Sequence, residues 1–292
     1  MTDIVFVGAV GRSGTTLLER TLATGHGIVA LGEMVHMWDR GLRDGEPCGC
    51  GLVFRDCPFW SAVGEAAFGG WDKVDLEAVA RDRRAVDRNR FIPLLIAPGL
   101  APRKFRAPHQ RLVAVLDSLY QAVHEVASRT ATDVVLVDSS KHPSYLFLLR
   151  KMPHHHLHLL HVVRDPRGVV HSWSRHVPRP ESGIAMEQLG TLAGCARWIS
   201  HNLLFQMAGW IGVERRRLSY ERFTRDPAEI GRSVDGATVH LGVDHTVSGN
   251  PMRFQDGDVT VRSDDTWRAA MPRRRQVIVG VLTTPWRQVY SR

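Results

Sequence analysis

The sequence of 292 residues predicts one α/β domain with a helical insertion. Short apolar runs at 4–7, 28–31 and 134–137 each lead into a glycine-containing or polar segment, as buried strands do when they end at ligand-binding loops. Between residues 61 and 130 the apolar residues recur at helical spacing instead. A hydrophobic content of 43% can fill a sizeable core, so we expect a single domain over 1–292, with the insertion at about 61–130.

The first apolar run leads into the sequence GAVGRSGTT at residues 8–16, here called the glycine loop, and a helix is predicted at 14–24. A strand, a glycine-rich turn and a helix form a cradle for an anion, because backbone N–H groups and the positive helix N-terminus face the ligand. A nucleoside triphosphatase loop carries a lysine after its last glycine; this loop carries a threonine, which favours fewer phosphates. An ordinary strand-to-helix turn is the alternative. The expected contacts to phosphate or sulfate come from Arg12, Ser13, Gly14, Thr15 and Thr16.

The net charge of +8 indicates a polyanionic partner. The basic residues are scattered rather than clustered with aromatic residues, so we expect a small ligand and no nucleic acid. No apolar run approaches the length of a membrane span, and the N-terminus lacks the pattern of a signal sequence. We therefore expect a cytoplasmic protein without a membrane span.

Two acid–base candidates follow the second apolar run. Glu33 and His36 lie just beyond Gly32 and share one face if the segment is helical. Residues past a strand end are where α/β sheets hold their ligands. Either side chain is a candidate general base, and a solvated helix start is the alternative.

The third apolar run is followed by a polar loop that holds Lys141 and His142. Only four of the 38 Lys and Arg residues are lysine, so a lysine in a polar loop suggests a specific role. We expect Lys141 to neutralise a transferred oxyanion group. A helix-capping loop is the alternative.

Three cysteines, Cys48, Cys50 and Cys57, lie within ten residues. Such a cluster suggests a zinc site or a disulfide. No fourth ligand has the usual spacing, although His36 is a candidate, and a cytoplasmic chain disfavours a lasting disulfide. We expect reduced loop cysteines and no metal.

A second anion site is predicted where the strand at 157–163 ends. Asp165 suits an N-cap and Pro166 a first helical position, so a helix should begin there. Ser172 lies about two turns further on the same face. Arg164 and Ser172 are therefore placed to contact one anion, apart from the glycine loop.

These motifs resemble those of the sulfotransferases that use 3′-phosphoadenylyl sulfate. GRSGTT at 11–16 is similar to the 5′-phosphosulfate loop of that family, and VVRDPRGVVHSWSR at 162–175 is similar to its 3′-phosphate segment. The two motifs occur in the family's order, about 150 residues apart. Residues 32–36 and 141–145 resemble its glutamate and KxPxY segments, whereas 61–130 has no counterpart that we can match.

The resemblance implies a P-loop-containing three-layer fold with a central parallel sheet. It implies that Arg12 to Thr16 bind the 5′-phosphosulfate and that Arg164 and Ser172 bind the 3′-phosphate. It further places Tyr220 near the adenine and Arg253 at the 3′-phosphate. Glu33 is the preferred base, with His36 and His142 as alternatives, while Lys141 and Arg12 stabilise the transferring group.

The expected reaction moves the sulfuryl group from 3′-phosphoadenylyl sulfate to a hydroxyl of a small molecule or glycan and releases adenosine 3′,5′-bisphosphate. No metal is required, because fixed cations can take the place that magnesium holds in phosphoryl transfer. The insertion at 61–130 would serve as an acceptor lid. A nucleotide kinase or hydrolase and a non-catalytic protein that binds anions or nucleic acid are the alternatives.

Overall fold

The fold is taken from a computed structural model that describes residues 1–175, 187–230 and 238–291. Five strands form a sheet in the order β2-β3-β1-β4-β5, and every neighbouring pair is parallel. This arrangement confirms the α/β class. The strands are β1 (Thr2–Ala9), β2 (Ile28–Gly32), β3 (Val135–Asp138), β4 (His155–Val163) and β5 (Glu214–Ser219).

Helices connect the strands, as parallel pairing requires. In chain order they are α1 (Thr15–Leu22), α2 (Pro58–Phe68), α3 (Leu76–Val86), α4 (Ile92–Ile96), α5 (Arg103–Ala127), α6 (Pro143–Leu149), α7 (Pro166–Trp173), α8 (Thr191–Trp210), α9 (Tyr220–Arg225), α10 (Trp267–Ala270) and α11 (Arg273–Ser291). A π-helical segment covers Met37–Arg43. β6 (Thr238–Leu241) and β7 (Gly257–Thr260) pair as a small antiparallel sheet of two strands.

Successive side chains of a strand point to opposite faces of the sheet, and in β1 the side chains on both faces are buried. Ile4 and Phe6 of β1 belong to the apolar cluster that also contains residues of α5, α6 and α8. Val7 of β1 belongs to a second cluster, with residues of α1 and α9. Helices therefore cover both faces, an arrangement compatible with a three-layer α/β fold.

The helices α2 to α5 lie between β2 and β3, where the sequence predicted an insertion. The spacing of Leu112, Val115, Leu116, Leu119, Val123 and Val126 predicts one apolar stripe, and on α5 all of them except Val115 are buried. The prolines of residues 92–108 predict a link between helices, but α4 and the start of α5 occupy this stretch. Pro108 lies in the second turn of α5, where the missing N–H removes a single hydrogen bond.

The segment after β5 also differs from expectation. Residues 217–223, RLSYERF, are typical of a strand that leads into a turn, but β5 ends at Ser219 and helix α9 begins at Tyr220. The Ser219 side chain accepts a hydrogen bond from the Arg222 N–H and so caps this helix. Within the described parts of the chain, no helix combines the length and apolar character needed to cross a membrane.

Candidate functional site

A cavity of about 710 Å³ lies at the carboxyl end of the sheet. Each of the five strands contributes a lining residue from the segment that directly follows it, as expected of ligand sites in open parallel sheets. In strand order from β1 to β5 these residues are Arg12, Glu33, Lys141, Arg164 and Tyr220.

The cavity brings together most of the residues that the sequence singled out. The predicted residues that line it are Arg12, Gly14, Thr15, Thr16, Glu33, His36, Lys141, His142, Arg164, Ser172 and Tyr220. Ser13 lies in the same loop but is only 2% exposed. The two predicted anion motifs and the acid–base candidates therefore share one space.

The charged side chains of the described lining are mainly positive. Six are Arg or Lys and three are Asp or Glu, so the cavity favours anionic ligands. The basic side chains are Arg12, Arg40, Lys141, Arg164, Arg197 and Arg262, and the acidic ones are Glu33, Glu187 and Asp264.

The glycine loop turns sharply into α1. Gly14 precedes the helix with φ of 74°, and Arg12 also has a positive φ, of 73°. A left-handed conformation is uncommon for a residue with a side chain, and such strain is often found at functional sites. No acidic side chain occupies the first turn of α1, so its N-terminus keeps its attraction for anions.

Arg164 joins the second motif to the glycine loop. Its Nη1 donates to the carbonyl oxygen of Arg12 at 2.7 Å, and its Nη2 donates to the carbonyl oxygen of Asp264 at 2.6 Å. The guanidinium carbon lies 4.4 Å from the centre of the Tyr220 ring. A side-chain carbon on Gly14 would lie 2.5 Å from that ring. The Tyr220 ring therefore lies between Gly14 and the Arg164 guanidinium.

Helix α7 carries Ser172 into the same cavity. The Asp165 side chain accepts from the Arg167 N–H and caps the helix, and Pro166 is its first residue, which confirms the predicted start. At the other end, Trp173 donates from Nε1 to the carbonyl oxygen of Gly11 at 2.9 Å. Strand β4, α7 and the glycine loop therefore form one hydrogen-bonded unit.

Glu33 and Lys141 form an ion pair across the cavity, with 2.6 Å between Lys141 Nζ and Glu33 Oε1. Both side chains are about 15% exposed or less. Burial opposes ionisation of Glu33, but Lys141 together with His36 and Arg40 outweighs it, and the pKa of Glu33 is lowered to about 2. Glu33 is thus a carboxylate at neutral pH. Its partner Lys141 has a positive φ, of 62°.

The two histidine candidates lie beside this pair. Nε2 of His36 is 3.5 Å from Glu33 Oε2, and the His36 and His142 ring centres are 5.5 Å apart. Burial lowers the pKa of His36 to about 3 and also lowers the pKa of His142. Both imidazoles are therefore neutral at pH 7, and their burial disfavours protonation.

Arg253 is placed differently from expectation. Its side chain is buried, at 1% exposure, and Nη1 donates to the carbonyl oxygens of Pro47 and Thr246. It does not belong to the cavity lining within the described residues. The resemblance placed Arg253 at the 3′-phosphate, but here it joins two loops, so we do not carry it into the proposed donor site.

Several lining residues were missed at the sequence level. Arg197 and His201 are one turn apart on α8, and the Arg197 guanidinium lies 5.0 Å from the centre of the Trp173 ring. Arg40 donates to the Ser248 hydroxyl at 2.5 Å. The spacing of Arg197 and His201 was a usable signal, whereas Arg40 depends on a contact with a residue 208 positions away.

The cysteines lie outside the cavity lining. His36, the candidate for a fourth ligand, is beside Glu33, and the imidazole that lies beside the thiols is that of His245. No protein-family model matches the chain, and no curated protein matches it significantly. The functional conclusion therefore depends on the site itself.

Proposed function

We propose that this protein is a sulfotransferase that uses 3′-phosphoadenylyl sulfate as donor and a hydroxyl of a small molecule or glycan as acceptor. The observation that carries the proposal is the hydrogen bond from Arg164 to the Arg12 carbonyl, which joins the two anion motifs at one cavity. The donor has a phosphosulfate at one end and a 3′-phosphate at the other. It therefore needs two neighbouring anion sites and no triphosphate pocket.

In this proposal the glycine loop binds the 5′-phosphosulfate, with Arg12, Ser13, Gly14, Thr15 and Thr16 as its contacts. Arg164 and Ser172 bind the 3′-phosphate. An arginine has five N–H donors in a planar fork, so Arg164 can contact a phosphate as well as the Arg12 carbonyl. Tyr220, which packs between Gly14 and Arg164, holds these two sites in register.

The proposed reaction is an in-line displacement at sulfur. Glu33 takes the proton of the acceptor hydroxyl, and the acceptor oxygen forms a bond to sulfur. The bond between sulfur and the bridging oxygen breaks, and its electron pair leaves with adenosine 3′,5′-bisphosphate. Arg12, Lys141 and the loop N–H groups stabilise the charge that develops on the transferring and leaving oxygens.

Release of Glu33 from its ion pair with Lys141 would allow this weakly basic carboxylate to act as the base. While Lys141 holds Glu33, the pKa of Glu33 is about 2. A bound phosphosulfate competes for the Lys141 ammonium, and weaker pairing raises the basicity of Glu33. Donor binding would therefore prepare the base, and His36 and His142 remain the alternative proton acceptors.

The fold proposal is a P-loop three-layer domain with α2 to α5 as the acceptor lid. Asn89, which lies between α3 and α4, lines the cavity from this insertion. Its side-chain oxygen accepts from the Ser144 N–H at 3.1 Å, which joins the insertion to α6, the helix that follows the loop with Lys141. A change in the insertion should therefore alter acceptor preference more than donor affinity.

The test is transfer of labelled sulfate from 3′-phosphoadenylyl sulfate to a panel of phenols, sugars and glycans. We expect label in at least one hydroxyl acceptor, release of the bisphosphate, and loss of both in the Arg12→Ala variant. ATP hydrolysis or transfer that depends on magnesium would favour a kinase or hydrolase. Salt-sensitive binding of oligonucleotides, without binding of the bisphosphate, would favour a non-catalytic protein.

A further inference from the structure

Three thiols and one imidazole converge on a point outside the proposed active site. The ligand atoms of Cys48, Cys50, Cys57 and His245 all lie within 4.8 Å of one another. His245 Nδ1 is 3.3 Å from the Cys57 sulfur and 3.8 Å from the Cys48 sulfur. In tetrahedral zinc sites, bonds of about 2.3 Å to sulfur and 2.0–2.1 Å to nitrogen place neighbouring ligand atoms about 3.5–3.8 Å apart. The cluster therefore needs little rearrangement to bind an ion.

Thiols are weak hydrogen-bond donors and acceptors, so the hydrogen bonds among these side chains account poorly for the convergence. The Nδ1 atom of one imidazole accepts a hydrogen bond from one thiol at a time, yet three sulfurs surround it and none of the three cysteines forms a disulfide. A divalent cation satisfies the four atoms at once. Soft thiolate ligands with one imidazole in tetrahedral geometry select zinc among the common metals.

The backbone prepares the cysteine ligands. Cys48 donates its N–H to the Leu52 carbonyl at 2.8 Å and accepts from the Gly51 N–H at 2.8 Å, which closes a tight turn around Cys50. Gly51 has φ of 86°, a conformation that favours glycine. Cys57 is the N-cap residue of α2, so the start of that helix fixes the position of its backbone.

The histidine ligand is oriented by neighbouring aromatic residues. The His245 ring stacks on Phe59 with centres 5.0 Å apart and an angle of 1° between the planes. Nε1 of Trp60 donates to the His245 carbonyl oxygen at 2.8 Å. These contacts hold the ring with Nδ1 toward the sulfurs, as outer-shell partners do in metal sites.

We infer that Cys48, Cys50, Cys57 and His245 bind a structural zinc ion. Cys48 and Cys57 are fully buried, and four protein ligands complete the tetrahedron, so the site leaves no position for substrate. The ion would join the turn around Cys50 to a segment almost 200 residues away in sequence. Metal binding would release the thiol protons and use neutral His245 as ligand.

The position of the site gives the metal a role in arranging Glu33. Val247, two residues after His245, donates its N–H to the Leu31 carbonyl at 2.8 Å and accepts from the Glu33 N–H at 2.7 Å. The zinc ion would fix the segment around Val247, whose backbone hydrogen bonds position the backbone of Glu33. The inference of a metal stands without the sulfotransferase proposal, because metal content is measured independently of activity.

The test is elemental analysis of protein purified without a polyhistidine tag, with the Cys57→Ser and His245→Ala variants. Cys195→Ser is the matched control, since Cys195 is the remaining cysteine of the chain and lies buried in another cluster. We expect one zinc per chain in the native protein and in Cys195→Ser, and less than a tenth of that in the other two variants. Cobalt substitution should give the absorption of a tetrahedral thiolate complex.

Wild-type protein keeps the test decisive if the ligand variants fail to fold. A chelator should release one zinc per chain, expose three additional thiols to a thiol reagent and lower the melting temperature. Folded wild-type protein with no metal, with iron instead of zinc, or with a disulfide among these cysteines would overturn the inference. Full retention of zinc in a folded Cys57→Ser variant would overturn it as well.

Discussion

Arg164 donates from Nη1 to the carbonyl oxygen of Arg12 at 2.7 Å, although 152 residues separate them in sequence. Arg12 belongs to the glycine loop after β1, and Arg164 follows β4, the neighbouring strand. The parallel pairing of β1 with β4 brings both strand ends to the same edge of the sheet. The hydrogen bond then fixes the distance between the two predicted anion sites.

Replacing Glu33 by Gln should separate binding from catalysis. The amide keeps the size of the side chain but cannot take a proton, so we expect turnover to fall by about a hundredfold or more. Bisphosphate affinity should stay the same or rise, because Lys141 loses its anionic partner. Steady-state kinetics and calorimetry measure the two effects. The His36→Gln and His142→Gln variants are the comparison, and a larger loss of turnover in either would reassign the base.

The buried carboxyl of Glu19 predicts a pH dependence of stability. Burial raises the pKa of Glu19 to about 8, although it accepts hydrogen bonds from the Gly32 N–H and the Ser139 hydroxyl. The folded state therefore binds a proton more tightly than the unfolded state. The protonated Glu19 carboxyl therefore contributes stability below pH 4.5, and this contribution is lost as pH rises from about 4.5 to 8.

The Glu19→Gln variant should remove this pH dependence. Relative to the variant, wild-type protein should lose stability between about pH 5 and 8, with a slope of at most about 1.4 kcal/mol per pH unit. Denaturant titrations across that range measure it. Glu125→Gln, at an exposed ion pair with Arg129, is the control and should leave the wild-type slope unchanged. Parallel stability curves for wild type and Glu19→Gln would mean that Glu19 stays ionised.

Replacing Gly14 by Ala should damage both stability and the donor site. Its φ of 74° costs a residue with a side chain about 1–2 kcal/mol, and the new carbon would lie 2.5 Å from the Tyr220 ring. Gly212→Ala is the matched control, because Gly212 has φ of 91° and a methyl carbon added there would meet no atom within 4 Å. Thermal unfolding should show a larger loss for Gly14→Ala. Equal losses of stability in the two variants would show that the Tyr220 ring moves aside without lowering the free energy of unfolding.

The sheet was largely predictable because each apolar run needs burial on both faces and ends at a polar segment. The runs at 4–7, 28–31, 134–137 and 157–163 correspond to β1, β2, β3 and β4. The end of β5 was not predictable in the same way. Tyr220 and Phe223 suit a strand by propensity, but the Ser219 cap starts α9 there instead.

The site was predictable where residues follow strand ends and unpredictable where distant segments meet. Glu33 and Lys141 could be singled out separately, but their ion pair spans 108 residues. His245 is not part of any recognisable motif. It reaches the three cysteines only because the segment around it pairs with the end of β2. A motif resemblance likewise cannot tell whether an arginine such as Arg253 faces a cavity or joins two loops.

The central claim is that the glycine loop and the Arg164 segment bind the two ends of one adenosine donor. Calorimetry with adenosine 3′,5′-bisphosphate in the absence of magnesium tests it most directly. We expect one site per chain, with affinity about 10- to 100-fold weaker in Arg164→Lys, since losing a hydrogen bond between charged groups costs about 1.5–3 kcal/mol. The control Arg216→Lys, at an exposed position of β5, should bind like wild type. No binding by wild-type protein, or equal affinity in Arg164→Lys, would contradict the account.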